Sequence, residues 1–161
     1  IIMAFDAYLK ITGVTGEAKD DKHPGWIHLE SYSFGGSNVG SARLGGGMGT
    51  GKADLQDFHF TTSMDKSVPD LLVKCCTGEH IPEAKLEQVK SGGTKLVFLK
   101  VTMSDVLISS VQLGGSADIP NASVSFNFTK IKIEYQAQNE QGGADGGVTT
   151  GGFDIKQNKK I

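Results

Sequence analysis

The chain has 161 residues, with 16 Lys and Arg against 18 Asp and Glu, a formal charge of -2 at pH 7. That length fits one domain; 38% hydrophobic residues suffice for a packed interior, and 21% charged residues are too few for a solvated, disordered chain. The basic residues are scattered, which argues against nucleic acid, and no run of eighteen apolar residues offers a membrane span.

No basic, apolar, small-residue leader opens the sequence, so synthesis in the cytoplasm is expected, with any export following another route. Ile1 and Ile2 precede Met3, which reads as the natural start of a single domain over 3–161. The two cysteines, Cys75 and Cys76, are adjacent and poorly placed for disulfide geometry. Glycine stands out at 22 residues, eight of them between Gly35 and Gly51 and six between Gly142 and Gly152.

Phe5, Ala7, Leu9 and Ile11 alternate with polar neighbours and predict a strand over Phe5–Ile11. Thr15 to Gly25 has no periodicity and reads as loop. Trp26 to Phe34 alternates with apolar residues on both faces, as in a strand covered on both sides, one of them by another chain. Gly35 to Gly51 has almost nothing to bury and is read as an ordered segment at a partner surface.

Ala53 to Thr61 returns to strand character. Ser67 then supplies a hydroxyl N-cap, Pro69 sits in the first turn and Asp70 three residues after the cap. Val68, Leu71, Leu72, Cys75 and Cys76 form one apolar stripe, closed by Gly78, and predict the one helix, with both cysteines as small buried hydrophobes.

Lys85–Lys90 and Lys95–Met103 flank Ser91, Gly92, Gly93 and Thr94 as a hairpin. Val106–Leu113 is a further strand. In Ala122–Ala137, Val124, Phe126 and Phe128 set one phase while Ile131, Ile133 and Tyr135 set the opposite one, the mark of a bulge or of a strand crossing between sheets. Gln136–Gly152 reads as a glycine-rich connection and Phe153–Gln157 as a short last strand. About eight strands and one helix make the chain mainly β, an antiparallel barrel or two-sheet sandwich.

Catalytic motifs do not survive inspection. Gly46 to Lys52 matches G-x-x-x-x-G-K, but Ala53 replaces the hydroxyl that would hold magnesium, and a strand follows where a phosphate-binding helix is needed. His23, His28, His59 and His80 have no zinc spacing and read as surface or strand residues. Ser109 and Ser110 lack a nucleophile elbow. The twelve aromatics (eight Phe, three Tyr, one Trp) alternate along strands as core residues do. No cofactor, metal or catalytic residue is expected. Assembly is, because a sheet must manage its open edges and a head-to-tail ring does so.

Met3–Asp6 (MAFD), Gly45–Asp57 (GGGMGTGKADLQD), Asp65–Leu71 (DKSVPDL) and Gly151–Lys160 (GGFDIKQNKK) resemble the hemolysin-coregulated protein family, Hcp, over almost the whole chain from Met3. The resemblance implies a tube protein of the bacterial type VI secretion system with a fold like that of phage tail tubes. Hexameric rings would stack into a hollow tube, tipped by a VgrG spike and enclosed by a contractile sheath. The tube would be cytoplasmic when assembled and then driven into the medium or a target cell, carrying and chaperoning small effector proteins in its lumen.

By the same resemblance, Gly45, Gly46, Gly47, Met48 and Gly49 would form the loop between stacked rings, and Ser33 would lie on the lumen wall. No enzymatic activity, nucleic acid partner or membrane insertion is implied. The alternatives are a monomeric barrel that binds a small ligand inside itself, and the tube of a phage-like contractile particle.

Overall fold

The computed structural model describes residues 5–38, 52–90 and 95–161. The elements are β1 (Phe5–Ile11), β2 (Ile27–Leu29), β3 (Ser31–Ser33), β4 (Gly36–Asn38), β5 (Ala53–Leu55), β6 (Phe58–Ser63), α1 (Ser67–Thr77), β7 (His80–Lys90), β8 (Val97–Gly114), β9 (Asn121–Asn127), β10 (Lys130–Gln138), β11 (Ala144–Asp154) and β12 (Lys159–Lys160). Ten strands belong to one antiparallel sheet, and β4 pairs with β5 in a separate two-stranded ladder.

The large sheet folds over on itself as a sandwich. One half runs β11-β10-β8-β7-β1-β2, and the other runs β3-β6-β9-β8. Strand β8 belongs to both: Leu99–Ser104 pairs with β10, and Leu107–Gly114 pairs with β9. Among the described residues the ladders do not close a barrel, since β2 pairs only with β1 and β3 only with β6, with Glu30 joining them covalently. A mainly β, two-sheet sandwich with one helix is therefore the architecture that the alternation implied.

The two phase reversals are where the chain changes halves. Ile27 and Leu29 are buried while His28 is exposed, but after Glu30 the inward residues are Tyr32 and Phe34. The apolar residues on both faces of Trp26–Phe34 thus come from a turned strand and need no covering chain. At Phe128 and Thr129 the second reversal separates β9, which pairs with β6, from β10, which pairs with β11.

Between the halves, Leu9, Leu86 and Val101 lie in one row with Ile133, and Ile11, Ala84 and Met103 in the next with Ile131. Facing them, Phe58, Phe60 and Phe126 are fully buried and in mutual ring contact, with Phe58 and Phe126 centroids 4.9 Å apart. α1 packs against β8 through an apolar stripe narrower than expected. Val68 and Leu71 are buried and Cys75 is partly buried against the core, whereas Leu72 and Cys76 are exposed. The reason is angular, for the fourth-residue neighbours Leu72 and Cys76 fall at the edge of a stripe centred on 68, 71 and 75.

Capping also differs from the sequence reading. The Ser67 hydroxyl has no hydrogen-bond partner; instead its backbone N–H donates to Asp65 Oδ1 at 2.6 Å, and the other Asp65 oxygen accepts from Glu17 N at 3.0 Å. Asp65 therefore serves the helix start and ties the 12–26 loop to it. Gly78 ends the helix as expected, at φ 70° with its N–H on the Lys74 carbonyl.

Three strand assignments are corrected. β7 begins at His80, not Lys85, and the pairing skips Pro82 and Asp105, where Pro has no N–H to give and Asp105 adopts φ 55°. The separate strands expected on either side of Asp105 are one continuous β8. The glycine-rich connection is mostly β11, which pairs with β10 from Gln138↔Ala144 to Lys130↔Asp154, and Ile155–Asn158 is a turn rather than strand. The predicted hairpin turn at 91–94 lies outside the described residues.

One glycine is sterically required. At Gly16 a methyl group would collide with the Trp26 carbonyl where Gly16 N donates to Gly25 O at 2.7 Å. Gly16→Ala is expected to lose about 1–3 kcal/mol by forcing the two ends of this loop apart, measured by urea denaturation. Unchanged stability would mean that the loop is not packed this way.

Candidate functional site

Alternation on β6 and β9 sends every second residue into the core and the rest to the opposite face. The register aligns those outward residues in rows. Ser33, His59, Ser125 and Ser110 form one row across β3, β6, β9 and β8; Ser31, Thr61, Ser123 and Gln112 form the next; Ser63, Asn121 and Gly114 continue it on three strands.

Within these rows His59 is the one ionisable residue. Its Nδ1 lies 2.9 Å from Ser125 Oγ, and Ser31 Oγ lies 2.6 Å from Thr61 Oγ1, so hydroxyl groups largely bond along the face. Carboxylates occur at the margins, each beside a serine: Glu30 accepts from Ser63, and Asp57 accepts from Ser109 at 2.6 Å.

The other outer face of the sandwich has the opposite character. Across β1, β7, β8, β10 and β11 the outward rows read Tyr8, Glu87, Lys100, Glu134, Thr150 and then Lys10, Lys85, Thr102, Lys132, Gly152. Lys132 and Glu134 pair at 3.1 Å, and Lys85 and Glu83 approach to 3.9 Å. One face is thus a mosaic of charges and the other carries hydroxyl and amide groups.

Among the described residues, the four-stranded half also has two open edges: β3 pairs only with β6, and β8 beyond Leu107 pairs only with β9. Unpaired backbone on both sides of a short sheet is a template for pairing with further copies.

Ser33 lies at the β3 end of the first row, on the uncharged face and at an open edge. Gly45, Gly46, Gly47, Met48 and Gly49 lie outside the described residues, while the β4–β5 ladder brings the flanks of that segment together through Gly36↔Leu55 and Asn38↔Ala53. His59, Thr61, Ser123, Ser125 and Gln112 were not singled out by sequence reasoning. The signal was present as a Ser/Thr/Asn phase opposite Phe58, Phe60, Val124 and Phe126, but only the register joins the separate strands into a surface.

The remaining polar clusters are structural. Asp105 holds Lys156 Nζ at 3.0 Å and His80 at 3.2 Å, and the Lys156 hydrogen bond, followed by that of His80, lowers its carboxyl below the usual range. Burial raises the Tyr32 hydroxyl, which donates to Gln88. His23, expected at the surface or on a strand, is instead buried in the loop, with its ring stacked on Tyr8 at 4.5 Å. Among the described residues, no group of three or more His, Cys, Asp or Glu side chains is placed to hold a metal ion, and no helix is long and apolar enough to cross a membrane.

The chain is a mainly β, two-sheet subunit with one outer face charged, the other built of hydroxyl and amide groups, and, among the described residues, two unpaired edges. Residues 8–135 match the family described as type VI secretion system effector, Hcp. Protein hcp1 of Pseudomonas aeruginosa is 43% identical over 97% of this chain and 98% of its own length. A solved structure of a type six secretion system protein superposes with a TM-score of 0.91 at 31% identity, over 98% of this chain and all of that one. Hcp1 from Salmonella typhimurium superposes at 0.81 with 33% identity, over 99% of this chain and all of that one. The chain belongs to the Hcp family of the type VI secretion system.

Proposed function

We propose that the chain is the subunit of the secretion tube: six copies close into a ring, the uncharged face lines the central passage, and rings stack into a hollow tube. The observation that carries this reading is the pairing of a charge-free face with two open edges on the same four strands. Edge-to-edge continuation of that sheet would satisfy the unpaired backbone and would necessarily turn one face inward. A wall whose rows carry hydroxyl and amide groups, with carboxylates only at its margins, exerts little long-range pull on what moves past it. The role is structural and carrying, not catalytic, and no cofactor is involved.

In keeping with its family, the tube would meet a VgrG spike at its tip and a contractile sheath outside, hold small effector proteins in the lumen, and pass from cytoplasm to medium or target cell on contraction. A barrel that binds a ligand in its own interior would need space between its sheets. Here that space is occupied by Phe58, Phe60, Phe126 and Met103, all fully buried. A phage-like contractile particle would use the same subunit geometry, and the family match favours the secretion system.

Size exclusion with light scattering, and negative-stain images of the same peak, test the reading. Six-fold rings with a central hole are expected; a stable monomer at high concentration would overturn it. Met48→Glu is expected to leave single rings intact while weakening their stacking, seen as loss of tubes in the same images. Tubes of unchanged length would remove the 45–49 segment from the contact between rings.

A further inference from the structure

His23 is 1% exposed, and both of its ring nitrogens face carboxylates: Nδ1 lies 2.7 Å from Asp20 Oδ2 and Nε2 lies 2.7 Å from Glu87 Oε2. An ionised carboxylate only accepts hydrogen bonds, whereas a neutral imidazole has one donor nitrogen and one acceptor. With a neutral imidazole between two ionised carboxylates, one of these short contacts would set lone pair against lone pair around a buried ring. Both contacts are therefore satisfied only when the arrangement holds one extra proton, on His23 or shared between Nε2 and Glu87.

Asp20 does not carry that proton. Hydrogen bonds from Lys95 first, and from His23 next, hold its carboxyl at about 2. Lys95 Nζ bridges Asp20 Oδ1 and Asp21 Oδ1 at 2.7 Å each, and is itself raised by them.

From β1, Tyr8 stacks on the His23 ring, with Asp6 and His28 on its far side, where His28 Nε2 lies 3.1 Å from Asp6 Oδ1. Trp26 meets the ring edge-on at 4.7 Å. Lys22 N donates to Asp20 Oδ2, and Lys100 of β8 lies in register opposite Glu87.

The cluster fastens the 12–26 loop to the sheet. Other ties of this loop are Thr12 N to the Glu83 carbonyl at 3.1 Å and Glu17 N to Asp65. Its internal hydrogen bonds, Ala18 N to Trp26 O and Gly25 N to Ala18 O, close a fold that leads directly into β2 and then β3, which carries Ser31 and Ser33.

We propose that the His23 cluster is a proton-dependent latch: with the proton in place the 12–26 loop is closed onto β7, and when the proton leaves, the loop opens while the sandwich core stays folded. Loss of the proton removes one of the donors, so the partly buried negative charge of Asp20 and Glu87 then faces a ring that can answer only one of them. Opening would release the segment that positions the start of β2 and, through it, the outer edge of the neutral face.

Hydrogen exchange on the full chain, compared between about pH 6 and about pH 9 after correction for intrinsic rates, reads the latch directly. The amides of Gly16, Ala18, Gly25 and Trp26 are expected to lose about tenfold or more of their protection at the higher pH, while those of Leu9 and Val101 keep theirs. In nitrogen-resolved imidazole spectra at the lower pH, His23 is expected to show protons on both ring nitrogens, or one proton shared between Nε2 and Glu87.

Glu87→Gln supplies a neutral partner whose amide can donate to an unprotonated Nε2. This variant is expected to keep the loop closed at both pH values. His23→Gln is expected to make protection of the loop independent of pH. Equal protection of the loop at both pH values in the unaltered chain, an unprotonated Nε2 with no proton between it and Glu87 at the lower pH, or a pH response that persists in Glu87→Gln would overturn the proposal.

Discussion

Phe126→Ala is expected to lower stability by about 3–5 kcal/mol, the range for truncating a fully buried aromatic. Phe126 has no exposed surface and touches Phe58 at 4.9 Å and Phe60 at 6.4 Å between centroids. The three rings are held by the rigid β6–β9 ladder, Phe58↔Phe126 and Phe60↔Val124, so a cavity left there collapses poorly. Truncating Leu72, 49% exposed on α1, is expected to change stability by no more than about 0.5 kcal/mol. Chemical denaturation of both variants with an unchanged slope checks the contrast, and equal small losses would mean that the aromatic cluster is not the centre of the core. Because the outward neighbours of these phenylalanines are His59, Thr61 and Ser125, the same packing that stabilises the sandwich also fixes the rows of the neutral face.

How far the sequence could be read follows from where its periodicity is carried. Phe5–Ile11 matches β1 residue for residue, since Leu9 and Ile11 are buried in the core and Ala7 packs against it, while Phe5 at the start of the strand is exposed. The helix limits are set locally by Pro69 in the first turn and Gly78 at its end, and they fall within one residue of the structure, where Ser67 is the first helical residue and the Asp65 carboxylate accepts its N–H. The reversal near Phe128 was legible because Phe126 and Ile131 are both large and in opposite phases. The reversal at Glu30 was visible as apolar residues on both faces, but the sequence alone does not distinguish a turned strand from a doubly covered one.

β11 was hidden for a different reason. Gly146, Gly147, Gly151 and Gly152 present no side chain to alternate, and its strand geometry comes from the ladder with β10, not from any pattern of its own. His23 was hidden by distance: Glu87 is 64 residues away in sequence, and a lone histidine in a polar loop carries no periodic signal. Of the neutral face, Ser33 alone was named, as a candidate for the lumen wall through family resemblance, while its neighbours on the face emerge only once the register sets Ser33 beside His59 and His59 beside Ser125. Alternation can say that a residue points outward; it cannot say which other outward residues share its surface.

Ser123→Glu is expected to leave rings intact and to reduce retention of effector proteins about tenfold or more, because a carboxylate in the middle of the uncharged face must be left unpaired or desolvated when cargo covers it. Ser123 lies between Thr61 and Gln112, neither of which can neutralise a negative charge. The control is Thr102→Glu, the same change in charge on the other face of the sandwich, where Lys85 and Lys132 flank the position in register. Rings of the two variants, compared by co-purification with effector proteins bound by the unaltered ring, separate a specific effect of the face from a general effect of charge. Retention lost in Ser123→Glu alone would support the neutral face as the wall that contacts cargo. Equal retention in both, with rings present, would move cargo contact elsewhere while leaving the ring itself standing, and loss of rings in Ser123→Glu would instead place that face within a subunit contact. The contrast rests on the two outer faces being built on the same strand: the outward residues of β8 before Asp105, Lys100 and Thr102, belong to the charged rows, and those after Leu107, Ser110 and Gln112, to the neutral ones.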